Sequence, residues 1–486
     1  MSVSEPIDIA GFQPPRRRIK KWKIAVALVL LFAGLLVAVY TYTFFAARRD
    51  LNEAIAQATR EDASWHLADL EARRPAVPDE RNGALQAMKA RALAPAPLPG
   101  QMPVEEAGVA ATGAATKTLG ETLDELGPDE PLTPQQAARL RAELARAAYA
   151  LAEARKLADL PEGRFPITYT PDYVSTVVGG QQAREAAYLL KLDAFLRIHD
   201  GKSDDALLSA RAAFNAGRSI GDEPVLISQL VRLICRNMAL GCLDRALAQG
   251  QPSEEAMIEF QQALLEEDSV PVLLIGARGE RAGLHRLMEA LESGQASVRM
   301  TRRLAKGGGQ KLPDRATDMV AEHSLVSVHA WILRWLNDFV EAAKLPPWER
   351  RKRLEELDRR LKEEAPFLAR ELLPAYFKPA ETDQRESARL RCALVALAAE
   401  RYRKGKGEWP VKMADLEARE LDQVPLDPYN GQPLRYRRLA DGVAIYSLGP
   451  DGEDHGAAVS GGARVPVDTN YGFRLWDPER RERRAR

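Results

Sequence analysis

The stretch that decides the fold reading runs RYRKGKGEWPVKMADLE (401–417), VPLDPYNGQPLRYRR (424–438) and DGVAIYSLGPDGED (441–454). Just upstream, Ala388 to Arg403 sets Leu390, Leu394 and Leu397 on one helical face. Gly405 and Gly407 end that helix, and Trp409-Pro410 forbids its continuation. Asp427-Pro428-Tyr429-Asn430-Gly431 is a turn: proline presets φ, and Asn-Gly tolerates positive φ. Leu434 to Arg437 alternates apolar and charged residues, as a half-buried strand does. Asp441-Gly442 is a tight hairpin signal, and Val443 to Leu448 is a second strand. Gly449-Pro450-Asp451-Gly452 is a further turn. The pattern predicts one unit from about Arg385 to Trp476: a helix packed on a small antiparallel sheet. Tyr436, Ile445 and Tyr446 should meet or flank that helix, and Asp427 should hold backbone amides of its own turn.

This order resembles the C-terminal part of the major pseudopilins of type II secretion. The residues that carry the resemblance are Asp427, Pro428, Gly431, Pro433, Tyr436, Tyr446, Ser447, Gly449, Asp451 and Gly452. A similar module closes many long membrane-anchored bacterial proteins. The resemblance covers roughly the last fifth of the chain. A pseudopilin carries its apolar helix directly before its globular part, behind a processed leader. Here the apolar segment lies more than 330 residues upstream, and Gly11-Phe12 is not followed by an apolar run. The resemblance also implies a calcium loop over Leu448 to Asp454, with Asp451 as a ligand and Leu448 contributing a carbonyl. Oxygen ligands clustered in a turn suit Ca²⁺. The family supplies further acids downstream, where this chain has His455-Gly456-Ala457-Ala458. Calcium and a metal-free turn are both open readings of the loop.

Ile24 to Ala47 is 24 residues without a charge. As a helix it rises about 36 Å, enough to cross a hydrocarbon core of about 30 Å. Trp22 on one side and Tyr40 and Tyr42 on the other suit the two interfaces. Arg16, Arg17, Arg18, Lys20, Lys21 and Lys23 precede it, whereas Arg48 and Arg49 are diluted by Asp50 and Glu53. This bias predicts a single-pass signal-anchor, with the N-terminus in the cytoplasm and the bulk of the chain extracytoplasmic. A cleaved signal peptide is the other reading, against which stand the length of the apolar region and the long polar lead.

The 486 residues carry no net charge, with 45% apolar and 28% charged residues, and their mean hydropathy is −0.32. Residues 1–23 hold six basic and two acidic groups, so the remainder sums to −4. That balance argues against nucleic acid as a partner, which needs a basic face. Cys235, Cys242 and Cys392 are the three cysteines. On a helix, Cys235 and Cys242 stand about 10 Å apart, beyond the reach of a disulfide. They read as buried apolar fillers.

The organisation predicted is mainly α. Residues 1–23 are a cytoplasmic basic segment and 24–47 the span. Residues 48–130 read as stalk and linker, with a stiff Pro/Ala run, ALAPAPLPGQ, at 92–101. Residues 131–378 are a helical domain, opened by a capping box at Thr133-Pro134-Gln135-Gln136. Its helices are joined by short loops, which suits either a solenoid-like stack or an irregular helical domain; no strict repeat period is present. Residues 380–478 are the pseudopilin-like α+β module, and 479–486 a basic tail with five arginines. The tail reads as a solvated disordered end, or as a contact to anionic lipid or cell-wall polymer.

No catalytic constellation is legible. Gly307-Gly308-Gly309-Gln310-Lys311 lacks the spacing of a phosphate loop. His323 and His329 are six apart, not the four that sets two metal ligands on one helical face. Leu354, Leu357 and Leu361 form a narrow stripe that either packs on neighbouring helices or pairs with a partner helix. The reading is a membrane-tethered scaffold that binds proteins, without evident catalysis or cofactor. The alternatives are a component or relative of a type II secretion or pilus-like assembly, and an exported hydrolase whose site the sequence does not reveal.

Overall fold

One helix, α1 (Lys21–Glu61), carries the chain from the apolar segment straight into the folded body. The computed structural model describes residues 21–101, 117–170, 172–173, 176, 178–297, 325–373, 376–416, 420–460 and 469–485. The arginine cluster before the apolar segment, most of the Ala/Gly/Thr-rich run and the Gly307 loop with His323 lie outside them. Among the described residues, two helices are long and apolar enough to cross a membrane. The apolar window of the first, Ala25–Glu61, is 0% buried; that of the second, Leu226–Gln249, is 67% buried. Beyond Arg49 the first helix changes role. Leu51, Ala54 and Ala58 recur on one face and are buried against Ala330, Leu333 and Trp65.

The chain is mainly helical. After α1 come α2 (Leu67–Arg73), α3 (Gly83–Ala92), α4 (Leu119–Asp124), α5 (Pro134–Arg146) and α6 (Ala148–Arg155). Next are α7 (Gly180–His199), α8 (Ser203–Arg218), α9 (Leu226–Gln249), α10 (Glu254–Asp268) and α11 (Val272–Glu292). Then follow α12 (Leu325–Lys344), α13 (Pro347–Glu363), α14 (Phe367–Leu372), α15 (Phe377–Lys406) and, after the sheet, α16 (Pro478–Ala485). Thr133 caps α5 through the expected box, its hydroxyl accepting Gln136 N while Gln136 Oε1 accepts Thr133 N. Helices α7, α8 and α9 each pack on the other two. The apolar stripe of α13 turns inward: Leu357 and Leu361 are buried, and the Leu357 carbonyl accepts Trp335 Nε1–H of α12 at 3.1 Å.

The stalk expected over 48–130 is corrected over much of its length. Ala84, Ala87 and Ala90 of α3 and Leu119 and Leu123 of α4 are core residues. The Pro/Ala run departs from the stiff linker expected: Ala92 ends α3, Leu93 keeps a helical backbone, Leu98 to Gln101 closes a turn, and the run is not free. Leu98 packs on Ala147, Ala150 and Leu189, and Gly100 N donates to Glu143.

The C-terminal sheet has the order β1-β2-β4-β3, built from β1 (Arg435–Leu439), β2 (Gly442–Ser447), β3 (Val459–Ser460) and β4 (Asn470–Trp476). The first three in that order are antiparallel; the two-residue β3 joins β4 in parallel. The register sets Val443 opposite Leu475 and Ile445 opposite Phe473, all facing Leu390, Leu394 and Leu397 of α15 in one core. Tyr446 departs from the expectation. Strand alternation turns it to the opposite face, with Leu448 and Ala457. Gly431 has φ +69°, as the Asn-Gly turn requires, and Gly442 at φ +141° lies so close to Leu475 O that a side chain has no room. The apolar face of the sheet is continuous with the helical core: Phe473 and Leu475 belong to the same cluster as Leu240, Leu243 and Phe260.

Buried charges tie these parts together. Glu267 on α10 accepts from Arg232 and Arg236 of α9 at 2.5–2.8 Å. Glu400 near the end of α15 accepts from Arg481 of α16 at 2.9 and 3.0 Å, and both side chains are buried. The tail is therefore helical through Ala485 and anchored at Arg481, not a solvated end, because a buried carboxylate awaits it. Removing one member of such a pair strands the other charge away from water. Glu400→Ala should cost about 3–5 kcal/mol in denaturant unfolding, and Glu400→Leu with Arg481→Met should cost clearly less. Equal losses would show that the pair does not hold the tail.

Acid titration separates two buried acids of opposite sign. Burial disfavours the Glu267 carboxylate, but Arg232 and Arg236 outweigh it and hold its pKa at about 2. Its contribution is present above the ordinary carboxylate range and is lost as pH falls towards 2. Asp244 is pushed up to about 7 by burial, against the pull of Arg389 and Arg245. Its contribution is present below the ordinary carboxylate range and is lost as pH rises through 7. Asp244→Asn should remove a stability decline between about pH 4 and 7, and Glu267→Gln should flatten the acid limb. Unfolding curves across pH check both.

Candidate functional site

Where α1 leaves its apolar stretch, a cleft of about 1160 Å³ opens between α1, α11 and α12. Tyr40, Phe44 and Ala47 form its apolar end, and Arg48, Glu289, Glu292 and His329 its polar end. The polar end is built around a chain of hydrogen bonds. Glu292 Oε1 lies 2.7 Å from His329 Nδ1, and His329 Nε2 lies 2.8 Å from His285 Nδ1. With Glu292 ionised, His329 Nδ1–H donates to it. His285 Nε2 then faces Glu289 Oε1 at 3.4 Å. Glu292 Oε2 receives Arg48 at 3.3 Å.

Behind the histidines stands an aromatic wall. The Trp65 ring lies 4.7 Å from that of His285 and 4.3 Å from that of His66. The Arg281 guanidinium sits 5.4 Å over Trp65 and pairs with Asp62 at 3.3 Å. Burial, then the adjacent His329 and His66, push His285 down to about 3, so at neutral pH it is uncharged. A general base works best with a pKa near the operating pH, so His285 is a poor one here. Among the described residues, no group of three or more His, Cys, Asp or Glu side chains is arranged to hold a metal ion.

This cluster was missed in the sequence. His329 was weighed against His323, its neighbour in the chain, whereas the structure pairs it with His285, 44 positions away. One signal was legible: His285, Glu289 and Glu292 stand at i, i+4 and i+7, one face of a helix. A further acid, half-buried Glu280, accepts from Leu226 N at 3.0 Å, Tyr376 Oη at 2.7 Å and Tyr173 Oη at 3.3 Å. Burial raises its pKa. The three cysteines are free and buried, and burial pushes the Cys235 and Cys242 thiols up to about 12.

The C-terminal loop has the turns that its residues predict. Asp427 is buried and accepts from Tyr429 N, Ser447 Oγ and Leu448 N at 2.8–3.0 Å, fastening the turn to the end of β2. The expected calcium residues meet protein donors. The Leu448 carbonyl accepts Asn470 Nδ2–H at 3.2 Å, and the same amide donates to the Glu453 carbonyl at 2.9 Å. Asn470 Oδ1 accepts His455 N at 3.0 Å, so one buried side chain closes the loop from inside. Asp451 accepts Glu453 N and lies 3.0 Å from His455 Nε2. Leu448 and Asp451 thus serve different partners in this loop.

No family model, curated protein or solved structure matches the chain.

The loop geometry yields a measurement. Asn470→Ala removes the donor to the buried Leu448 carbonyl and to the Glu453 carbonyl, and should cost about 1–3 kcal/mol. Millimolar Ca²⁺ should leave the melting temperature of the unaltered chain unchanged. A Ca²⁺-dependent rise that Asp451→Ala abolishes would instead establish the calcium loop.

Proposed function

We propose that this chain is a membrane-tethered scaffold with one span. Its N-terminus lies in the cytoplasm, and its helical body stands at the outer face of the cytoplasmic membrane, presenting its surface to protein partners. The observation that carries this reading is the continuity of α1. Its apolar part is wholly exposed, and the same helix goes on to bury Leu51, Ala54 and Ala58 in the body. Asn337 Nδ2 donates to the Ala54 carbonyl at 3.0 Å, and Arg334 pairs with Asp50 at 3.2 Å. An exposed apolar helix of this length is stable in a bilayer and unfavourable in water. A helix locked into the body holds that body at a set angle to the bilayer, as a scaffold needs and a cleavable leader does not.

The hydrolase reading gains less support. The Glu292–His329–His285 chain resembles a proton relay in outline, but the base strength of His285 is too low for general-base work at neutral pH. The packing of α15 on β2 and β4 supports the second reading, kinship with a secretion or pilus-like assembly. Against it stands the merging of that sheet with the helical core.

Topology is testable without background labelling, because all three native cysteines are buried. Ser4→Cys should be shielded from impermeant thiol reagents in intact cells, and exposed Gln101→Cys should label once the outer envelope is made permeable. The reverse pattern would overturn the orientation. Cross-linking from membranes followed by identification of partners tests the function. Recovery of secretion-machine subunits would replace the scaffold reading with the second one.

A further inference from the structure

We propose that the cleft at the foot of α1 binds a bilayer phospholipid bearing a primary amine, its phosphate at Arg48 and its ammonium between Glu289 and Glu292. The proposal rests on the membrane-tether reading for its supply of lipid, and on the cleft itself for its chemistry.

Depth comes first. A hydrocarbon core of about 30 Å takes about 20 helical residues, so a span entering at Ala25 leaves the core near Phe44. Arg48 lies one turn further, about 6 Å along the axis, within the headgroup layer. The cleft follows this gradient. Tyr40, Phe44 and Ala47 line it at acyl and glycerol depth, its charged groups stand at headgroup depth, and Leu51 and Ile55 close it further out along α1. At about 1160 Å³ it has room for a headgroup and the first part of the chains below it.

Charge selects the headgroup. The Arg48 side chain is 52% exposed and that of Glu289 is 62% exposed, so both can turn to a ligand. Glu292 is 17% exposed and fixed, one oxygen held by His329 and the other by Arg48. Arg48 paired with Glu292, with Glu289 lining the same cleft, suits a zwitterion with its phosphate on one side and its ammonium on the other. A primary ammonium carries three N–H donors for those carboxylate oxygens, and a choline headgroup carries none. An anionic headgroup without an amine meets two carboxylates and one arginine. The neutral state of His285 matters here, since a second fixed cation beside Glu289 would compete with the ammonium.

The test uses the full chain, purified in a mild detergent, and follows its thermal unfolding. Short-chain phosphatidylethanolamine, phosphatidylcholine and phosphatidylglycerol are titrated in separate arms, with soluble phosphoethanolamine in a fourth. The ethanolamine lipid should raise the melting temperature saturably, and the other three should not. Glu289→Gln, at an exposed side chain, should weaken the apparent affinity about tenfold. Ala47→Trp, which fills the apolar end without touching a charge, should also weaken it. An equal rise with all three lipids, no rise with any, or a rise that Glu289→Gln and Ala47→Trp both leave intact would overturn the proposal. A rise with phosphoethanolamine equal to that with its lipid would overturn the bilayer lipid as occupant. The measurement is made in detergent. A negative result therefore removes the lipid site and leaves the topology untouched, whereas reversed thiol labelling removes the tether with lipid binding still measurable.

Discussion

The structure depends on the fact that α1 does not end where its apolar segment does. Backbone hydrogen bonds continue past Arg48 and Arg49 because residues 50–61, with three Ala and two Glu, favour helix as much as the apolar stretch does. The change at residue 50 is in what the side chains face. Before it they face outward on all sides; after it one stripe is buried on α12. The body thus inherits its orientation from α1. Whatever surface the body presents is set by the face of α1 that carries Leu51, Ala54 and Ala58.

A second constraint is the cost of burying charge. This core contains many arginines and acids at or below a few per cent exposure, among them Arg232, Arg236, Glu267, Arg281, Arg389, Glu400 and Arg481. Such groups stay charged only where partners meet them. Glu267 and Glu400 have guanidinium partners and are held ionised, whereas burial dominates at Asp244 and Glu280 and raises both. Glu267 joins the consecutive helices α9 and α10, and Glu400 joins α15 to α16 across the sheet. Arg481 also donates to the Gly250 carbonyl just after α9, and with the shared apolar cluster this makes the C-terminal sheet part of the body.

The sequence disclosed the features whose causes are local. The Thr133–Gln136 box, the Asp427 turn, positive φ at Gly431 and the facing leucines of α15 all follow from a few adjacent residues. What it hid depends on long-range contact. The prolines of the run at 92–101 stop α3 from continuing, but the run's burial depends on Ala147, Ala150 and Leu189. The tail reads as solvated from its arginines, and it takes Glu400, 81 positions away, with the Gly250 and Trp476 carbonyls, to make Arg481 a buried residue. The histidine chain is the clearest case. Its i, i+4, i+7 spacing on α11 was visible, but its meaning required α12 to bring His329 alongside.

The rigid exit of α1 fixes Arg48 one turn above the apolar limit, and the packing of α1 and α11 on α12 fixes Glu292 beside it. His329 holds one oxygen of Glu292 in place, and desolvation keeps His285 behind it neutral. A carboxylate oriented in this way has lost little freedom still to be given up on binding, which is the condition under which a partly exposed charge discriminates between ligands. Had His285 been solvated and protonated, it would have neutralised the acidic side of the cleft, leaving Arg48 to favour anions. The hydrophobic wall of Trp65 behind the histidines therefore bears on selectivity at the front of the site, although it does not line the cleft.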